Sequence, residues 1–312
     1  MTGVLYHDDY IGHDTGGNHP ERPERATVIK EGLEQSDYSD KLVWDEPRLA
    51  SKEEIALVHS QNYIEHVKAT CEAGPKYLDS PDNPVSVNSY NAALRAAGAV
   101  MTGIDGVIEG KYANAFCPVR PPGHHCRYST AMGFCLFNNV TIGARYLKNK
   151  YNIRKILIVD FDVHHGNGTE EMIAGNNDIL FFSIHQHPLY PGTGFSSKVN
   201  SNSGGIFNYP VPPGTDESAY MEVFKGQLSD YVNMLEPEFI LVSAGFDAHS
   251  DDSISNINLT SESYYNLTKQ IVLFADNHCD RRIVSTLEGG YNLNALRESA
   301  VYHVKSLVEA GS

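Results

Sequence analysis

ILIVDFDVHHGNGTEEM, residues 156–172, decides the fold class. It opens on a short, continuously apolar run and passes at once into a segment rich in aspartate, histidine and glycine. A strand buried on both faces reads this way, because neither of its faces needs polar residues. The same grammar recurs along the chain, with apolar runs at 4–6, 113–119, 179–184, 239–242 and 283–286, most of them followed by glycine, aspartate or histidine. Helical periods lie between them: Tyr90, Leu94, Ala97, Met101, Ile104 and Ile108 step by three and four, and 261–277 and 294–309 carry similar faces. Short apolar strands alternating with helices predict an α/β fold, a mostly parallel sheet with helices on both faces. No repeat, low-complexity tract or long linker divides the chain, so a single domain over 1–312 is expected. With 312 residues and 41% hydrophobic content, that domain can bury a large core.

The formal net charge of -15 argues against a nucleic-acid partner. It suits either attraction of cationic substrates or simple solubility. The five cysteines (Cys71, Cys117, Cys126, Cys135 and Cys279) are odd in number and lack C-x-x-C spacing, as expected in a reducing compartment. The opening MTGVLYHDDY has no basic region followed by an apolar run, and no apolar stretch approaches the ~20 residues of a membrane span. The expectation is a cytoplasmic protein with no membrane partner.

If the strand at 156–159 continues, Asp160, Asp162 and His164 alternate with Phe161 and Val163, and the period of two sends all three polar side chains to one side. Carboxylates so crowded repel one another unless a cation or strong donors lie between them, and a divalent metal meets that need. A strand end with solvated acids is the competing reading. Two ligands from one strand end require a third from elsewhere. Asp247 follows the run in FILVSAGFDAH (239–249), and Tyr291 follows the run in RRIVSTLEGGYN (281–292). A further loop, RPPGHHCRYSTAMGFC (120–135), sets His124 beside His125 after Pro121, Pro122 and Gly123, in a shaped turn. Ligands of open parallel sheets bind beyond the carboxyl ends of the strands, so these loops should converge on one crevice.

HPERPER (19–25), RPPGHH (120–125), GFCLFNN (133–139), VDFDVHHGNGT (159–169), YPGTG (190–194), AGFDAH (244–249) and EGGYN (288–292) together resemble the zinc-dependent histone deacetylase and acetylpolyamine amidohydrolase family, on the arginase-like α/β fold. The HHGNG and EGGY spellings are closer to class II and bacterial members than to class I. The resemblance implies one zinc on Asp162, His164 and Asp247, and Tyr291 as a donor to the developing oxyanion. It pairs His124 with Asp160 and His125 with Asn167. A carboxylate partner favours an imidazolium and a neutral amide does not, so His125 is the expected base and His124 the fixed charge. It also implies a channel walled by Phe134 and Tyr190 with Gly133 contributing its carbonyl, Ile254 at the rim, and Arg25 on an exit route for the acid product. An exposed arginine in a first helical turn is the competing view of Arg25. Potassium is implied along Asp160, Asp162 and His164, with help near Ser183.

After Asp247 the sequence DDSISNINLT (251–260) lacks the D-P-L-G spelling common in the family, so the rim near Ser253 and Ile254 is expected to differ. His249 could ligate a second metal, although one zinc is the expected count. The substrate implied is an acylated lysine in peptides or proteins. An acetylated polyamine is the alternative, and a silent acetyl-lysine binding module the remaining one. No gatekeeper acid is placed by the sequence, though Asp251 and Asp252 could serve if their loop folds inward.

Overall fold

The computed structural model describes residues 1–199 and 204–310. Its strands are β1 (Thr2–Leu5), β2 (Leu42–Asp45), β3 (Lys76–Tyr77), β4 (Pro84–Val85), β5 (Asn114–Cys117), β6 (Ile156–Asp160), β7 (Ile179–Gln186), β8 (Lys198–Val199), β9 (Gly205–Val211), β10 (Phe239–Ala244) and β11 (Ile283–Leu287). The main sheet runs β2-β1-β5-β11-β10-β6-β7-β9-β8, parallel throughout except for the short β8 against β9. The remaining pair, β3 and β4, forms a separate antiparallel hairpin.

The continuous apolar runs have a direct explanation in the packing. Ile156, Ile158, Ile179, Phe181, Phe239 and Leu241 join one buried cluster, together with the helices Gln61–Glu72, Ser89–Ile108 and Asn139–Tyr151. Their immediate neighbours Leu157, Val159, Leu180, Phe182, Ile240 and Val242 join the other, with Glu24–Glu34, Glu217–Leu235, Ser261–His278 and Leu293–Ala310. Successive side chains point to opposite faces, so a strand buried on both sides must be apolar at every position. This is the α/β architecture expected from the sequence. Polar residues outside the helical periods start several helices: Asn138 Oδ1 accepts from Thr141 N at 3.0 Å, and Asp216 Oδ1 from Ala219 N at 3.0 Å.

One expectation is corrected. The strand at 156–159 does not run on to His164 but stops at Asp160. Beyond it the amides turn from the ladder to carboxylates: Asp162 N donates to Asp160 Oδ1 at 3.1 Å, Val163 N to Asp247 Oδ1 at 3.0 Å and His164 N to Asp162 Oδ1 at 2.9 Å. The alternation nevertheless survives, since Phe161 and Val163 stay in the apolar cluster while the acids face away from it. Among the described residues no helix is long and apolar enough to cross a membrane.

Candidate active site

Five neighbouring strands, in the order β5-β11-β10-β6-β7, end side by side, and the loop leaving each carries polar residues. The loop after β6 supplies Asp162 and His164, and that after β10 supplies Asp247. One ligand atom from each can be chosen so that all lie within 4.8 Å of one another, the one such group of three or more found among the described residues. His164 Nδ1 stands 3.2 Å from Asp162 Oδ1 and 3.1 Å from Asp247 Oδ2, and all three residues are buried. Two buried carboxylates and one imidazole at this spacing suit a divalent ion such as zinc. Gly289 is required alongside them, because a Cβ there would lie 2.1 Å from Asp247 Oδ2. Its amide donates to Asp162 Oδ2 at 2.7 Å.

The paired histidines lie beside this group with ring centroids 4.0 Å apart and ring planes tilted by 46°. His124 Nδ1 meets Asp160 Oδ2 at 3.0 Å, and His125 Nδ1 donates to Asn167 Oδ1 at 2.7 Å. Since an amide oxygen can only accept, His125 carries its proton on Nδ1 and leaves Nε2 free to take one. Burial opposes the charge on His124, but Asp160, Asp162 and Glu288 outweigh it and push the imidazole up to about 10. Burial and then the neighbouring charges of His124 and His164 hold His125 well below the ordinary histidine range. The two rings therefore differ in charge near neutrality.

A cavity of about 430 Å³ opens over His125 and His164, lined also by Gly133, Phe134, Tyr190, Ile254, Tyr291 and Asp82. Phe134 meets the Tyr291 ring edge-on at 5.7 Å, and Tyr190 meets His125 at 5.2 Å. The Gly133 carbonyl accepts from the buried Cys135 thiol at 3.2 Å. Burial raises the Tyr291 hydroxyl well above its usual range, so it stays protonated and able to donate. Arg25 is fully buried, which excludes the exposed-helix view. Its guanidinium carbon stands 4.8 Å over the Tyr291 ring, Nε donates to Gly290 O at 2.7 Å, and Nη2 donates to Glu288 O.

Ser183 is the register partner of Asp160 on β7, and its hydroxyl pairs with His185 Nδ1 at 2.9 Å. His249 lies apart from the metal-capable group. Its Nδ1 accepts from Asp251 N at 3.0 Å and Nε2 meets Ser261 Oγ at 3.2 Å, so both ring nitrogens are already engaged. Asp252 is buried, but its Oδ2 accepts from Tyr291 N at 2.6 Å and Asn292 N at 3.1 Å. It fixes the turn that carries Tyr291 and does not face a ligand.

Two acids at the site escaped sequence reasoning. Glu288 Oε2 accepts from Gly123 N at 2.7 Å and His124 N at 3.1 Å, tying the double-histidine loop to the tyrosine loop, and Ser243 Oγ donates to Oε1 at 3.1 Å. Asp82 is the one acid among the cavity's lining residues. It sits in DSPDNP (79–84), which reads as an ordinary turn. For Glu288 the signal was present, an acid directly after a buried strand.

Residues 19–307 match the histone deacetylase domain. A probable deacetylase of Archaeoglobus fulgidus is 36% identical over 297 residues, covering 94% of this chain and 82% of the relative. A histone deacetylase-like amidohydrolase of Pseudomonas aeruginosa is 34% identical over 286 residues, covering 91% of this chain and 75% of the relative. Among solved structures, the HDA15 HD domain superposes with a TM-score of 0.90 at 32% identity, over 98% of this chain and 90% of that one. Buried Asp-His-Asp donors, paired histidines of unlike charge and an aromatic-walled cavity, on a fold and a sequence shared at this level, place the chain in the histone deacetylase family of amide hydrolases.

Proposed function

We propose that the chain is a zinc-dependent amidohydrolase that removes acetyl or a related acyl group from lysine side chains of peptides or proteins. The observation that carries the reading is the cavity itself: aromatic walls lead to a floor where His125, His164 and Tyr291 meet beside the metal-capable group. Asp162, His164 and Asp247 would hold the zinc, which when bound supplies Lewis-acid polarisation of the amide carbonyl and a lowered pKa for water. His125 Nε2 takes the proton of the attacking water. His124, held as an imidazolium by Asp160, keeps positive charge beside the floor. Tyr291 donates to the oxygen on which negative charge develops. Phe134 and Tyr190 admit a slim methylene chain, with Gly133 and Ile254 completing the lining.

Arg25 would border the route by which the small acid leaves, supported by its place behind the Tyr291 ring. A potassium ion would be held by the backbone at Asp160, Asp162 and His164 with Ser183, where β6 ends against Ser183 of β7. One catalytic domain over 1–312, working in the cytoplasm without nucleic acid or membrane, completes the proposal.

The alternative substrate, an acetylated polyamine, gains support from Asp82, whose carboxylate could meet a second amine. The lysine reading is preferred because Ile254 is apolar and Asp252 is committed to backbone amides. The discriminating experiment compares kcat/KM for an acetyl-lysine peptide with that for acetylputrescine and acetylspermidine under identical zinc loading. The peptide is expected to lead. A lead of about tenfold for the polyamines, ~1.4 kcal/mol of barrier, overturns the lysine reading, and absence of acetate from every substrate reduces the chain to a binding module.

A further inference from the structure

The wall formed by Gly133 and Phe134 passes through the left-handed region, with φ of 55° and 69°. Glycine accepts this without steric cost, and at 133 it is required, because a Cβ would stand 2.3 Å from the His125 ring. Phe134 has no such freedom. A bulky residue at positive φ persists only where its surroundings over-determine it.

Those surroundings come from one short segment, 79–83. Asn83 Oδ1 accepts from Phe134 N at 2.7 Å, Asp82 Oδ2 from Gly133 N at 3.2 Å and Asp79 Oδ2 from Ala131 N at 2.7 Å. Asn83 is the buried member of the three, 1% exposed. Its amide cannot be turned round, because Nδ2 donates to Leu78 O at 3.2 Å and Ser80 Oγ at 3.0 Å, leaving the oxygen end for Phe134. Its backbone is held too: Leu78 N donates to Asn83 O at 2.9 Å, and Asn83 N to Ser80 O at 3.1 Å. With its amide pinned, Phe134 presents its ring to Tyr291 on one side and His19 on the other, at 5.7 and 4.7 Å.

We propose that Asn83 is a positioning residue for the substrate channel: by holding the Phe134 amide it keeps the wall in its left-handed conformation and so limits the thickness of the linker that passes. This rests on reading the cavity as an acyl-lysine channel. The test pairs Asn83→Ala, which removes the acceptor, with Asn83→Asp, which keeps an oxygen in place. Asn83→Ser, too short to reach Phe134 N but still polar, serves if the alanine variant does not fold. Each is assayed on a peptide carrying acetyl-lysine and on one carrying N-acetylated 4-(aminomethyl)phenylalanine, whose linker is thicker. The ratio of kcat/KM, slim over thick, is expected to fall about tenfold or more in the alanine and serine variants, the scale on which a pocket discriminates small changes of size. The aspartate variant should keep the wild-type ratio.

Crystal structures of wild type and variants give the second readout, with Phe134 leaving positive φ only where the acceptor is lost. An unchanged ratio, equal loss on both substrates, or a Phe134 that keeps its positive φ without the acceptor overturns the assignment. If wild type releases acetate from neither peptide, the proposed function fails, and the crystal structures still decide the role of Asn83.

Discussion

Glu21→Gln perturbs the support beneath the Tyr291 loop without touching the loop itself. Glu21, Arg25 and Arg120 are all fully buried. Glu21 Oε1 accepts from Arg120 Nε at 2.5 Å and Arg25 Nη1 at 3.0 Å, and Oε2 accepts from Arg120 Nη2 at 2.7 Å. One carboxylate thus faces two guanidiniums, and Arg25 passes the restraint on to Gly290 O and Glu288 O. The amide keeps an acceptor and removes the charge. Burial opposes ionisation of Glu21, yet Arg120 first, then His13 and Arg25, outweigh it and lower the acid from 4.5 to about 2. That gap corresponds to about 3 kcal/mol of folding free energy. Breaking one side of a buried ion pair typically costs ~3–5 kcal/mol, which agrees. The sign follows from the direction of the shift: a lowered folded-state pKa gives stability present in full above the unfolded value and lost as pH falls through the folded one. Urea unfolding should therefore show the variant less stable by ~3 kcal/mol near neutrality, with somewhat over half of that difference gone by about pH 3. A difference below ~1 kcal/mol at neutral pH, or one that does not shrink on acidification, would refute the reasoning.

Tyr291→Phe should fold and keep its metal while kcat falls by about 10²–10³ with KM little changed, because the hydroxyl acts on charge that appears only in the transition state. Steady-state kinetics showing near-native kcat would remove the hydroxyl from the mechanism. His125→Ala should cost more activity than His124→Ala, since in the proposed mechanism the first removes the base and the second a fixed charge; the reverse order in kcat/KM would exchange the roles. Asp162→Ala should lose metal and activity together, and elemental analysis of the wild type should find one tightly held divalent ion per chain, two being the result that defeats the single-metal reading.

The parts of the fold legible in the sequence are those with apolar residues on both faces. β6, β7 and β10 are such strands, and their apolar runs mark them almost to the residue. β2 and β9 are not. β2 lies at the sheet edge, where Trp44 of its LVWD is 36% exposed, and Asn208 and Pro210 interrupt the apolar character of GIFNYPV in β9. The metal-capable group was legible because Asp162, His164 and Asp247 directly follow apolar runs of neighbouring strands, and the structure gathers them despite the early end of β6. Asn83 and Asp82 were not, since their work is a bond from a side-chain oxygen to a backbone amide 51 residues further on. No periodicity reports such a bond.

The same chemistry governs the centre of the site and explains its substrate end. Buried acids around the strand ends are satisfied by backbone amides of their own or neighbouring loops: Asp160 by Asp162 N, Asp247 by Val163 N, Asp162 by His164 N and Gly289 N, Glu288 by Gly123 N and His124 N, Asp252 by Tyr291 N and Asn292 N. Accepting amide protons offsets part of the cost of burying these acids and fixes the loops that donate them, although burial still raises Asp160 and Asp247 and pushes Glu288 up to about 7. Each acid therefore has a structural use before any ligand arrives. The consequence for specificity is that the DDSIS loop, despite its two aspartates, has no buried carboxylate left for a substrate cation: Asp252 is consumed by the tyrosine turn, while Asp251 is exposed. The acid that does line the cavity, Asp82, belongs to the segment that clamps Gly133 and Phe134. Under the proposed channel reading, residues 79–83 would both hold the wall and supply the one acid that lines the cavity.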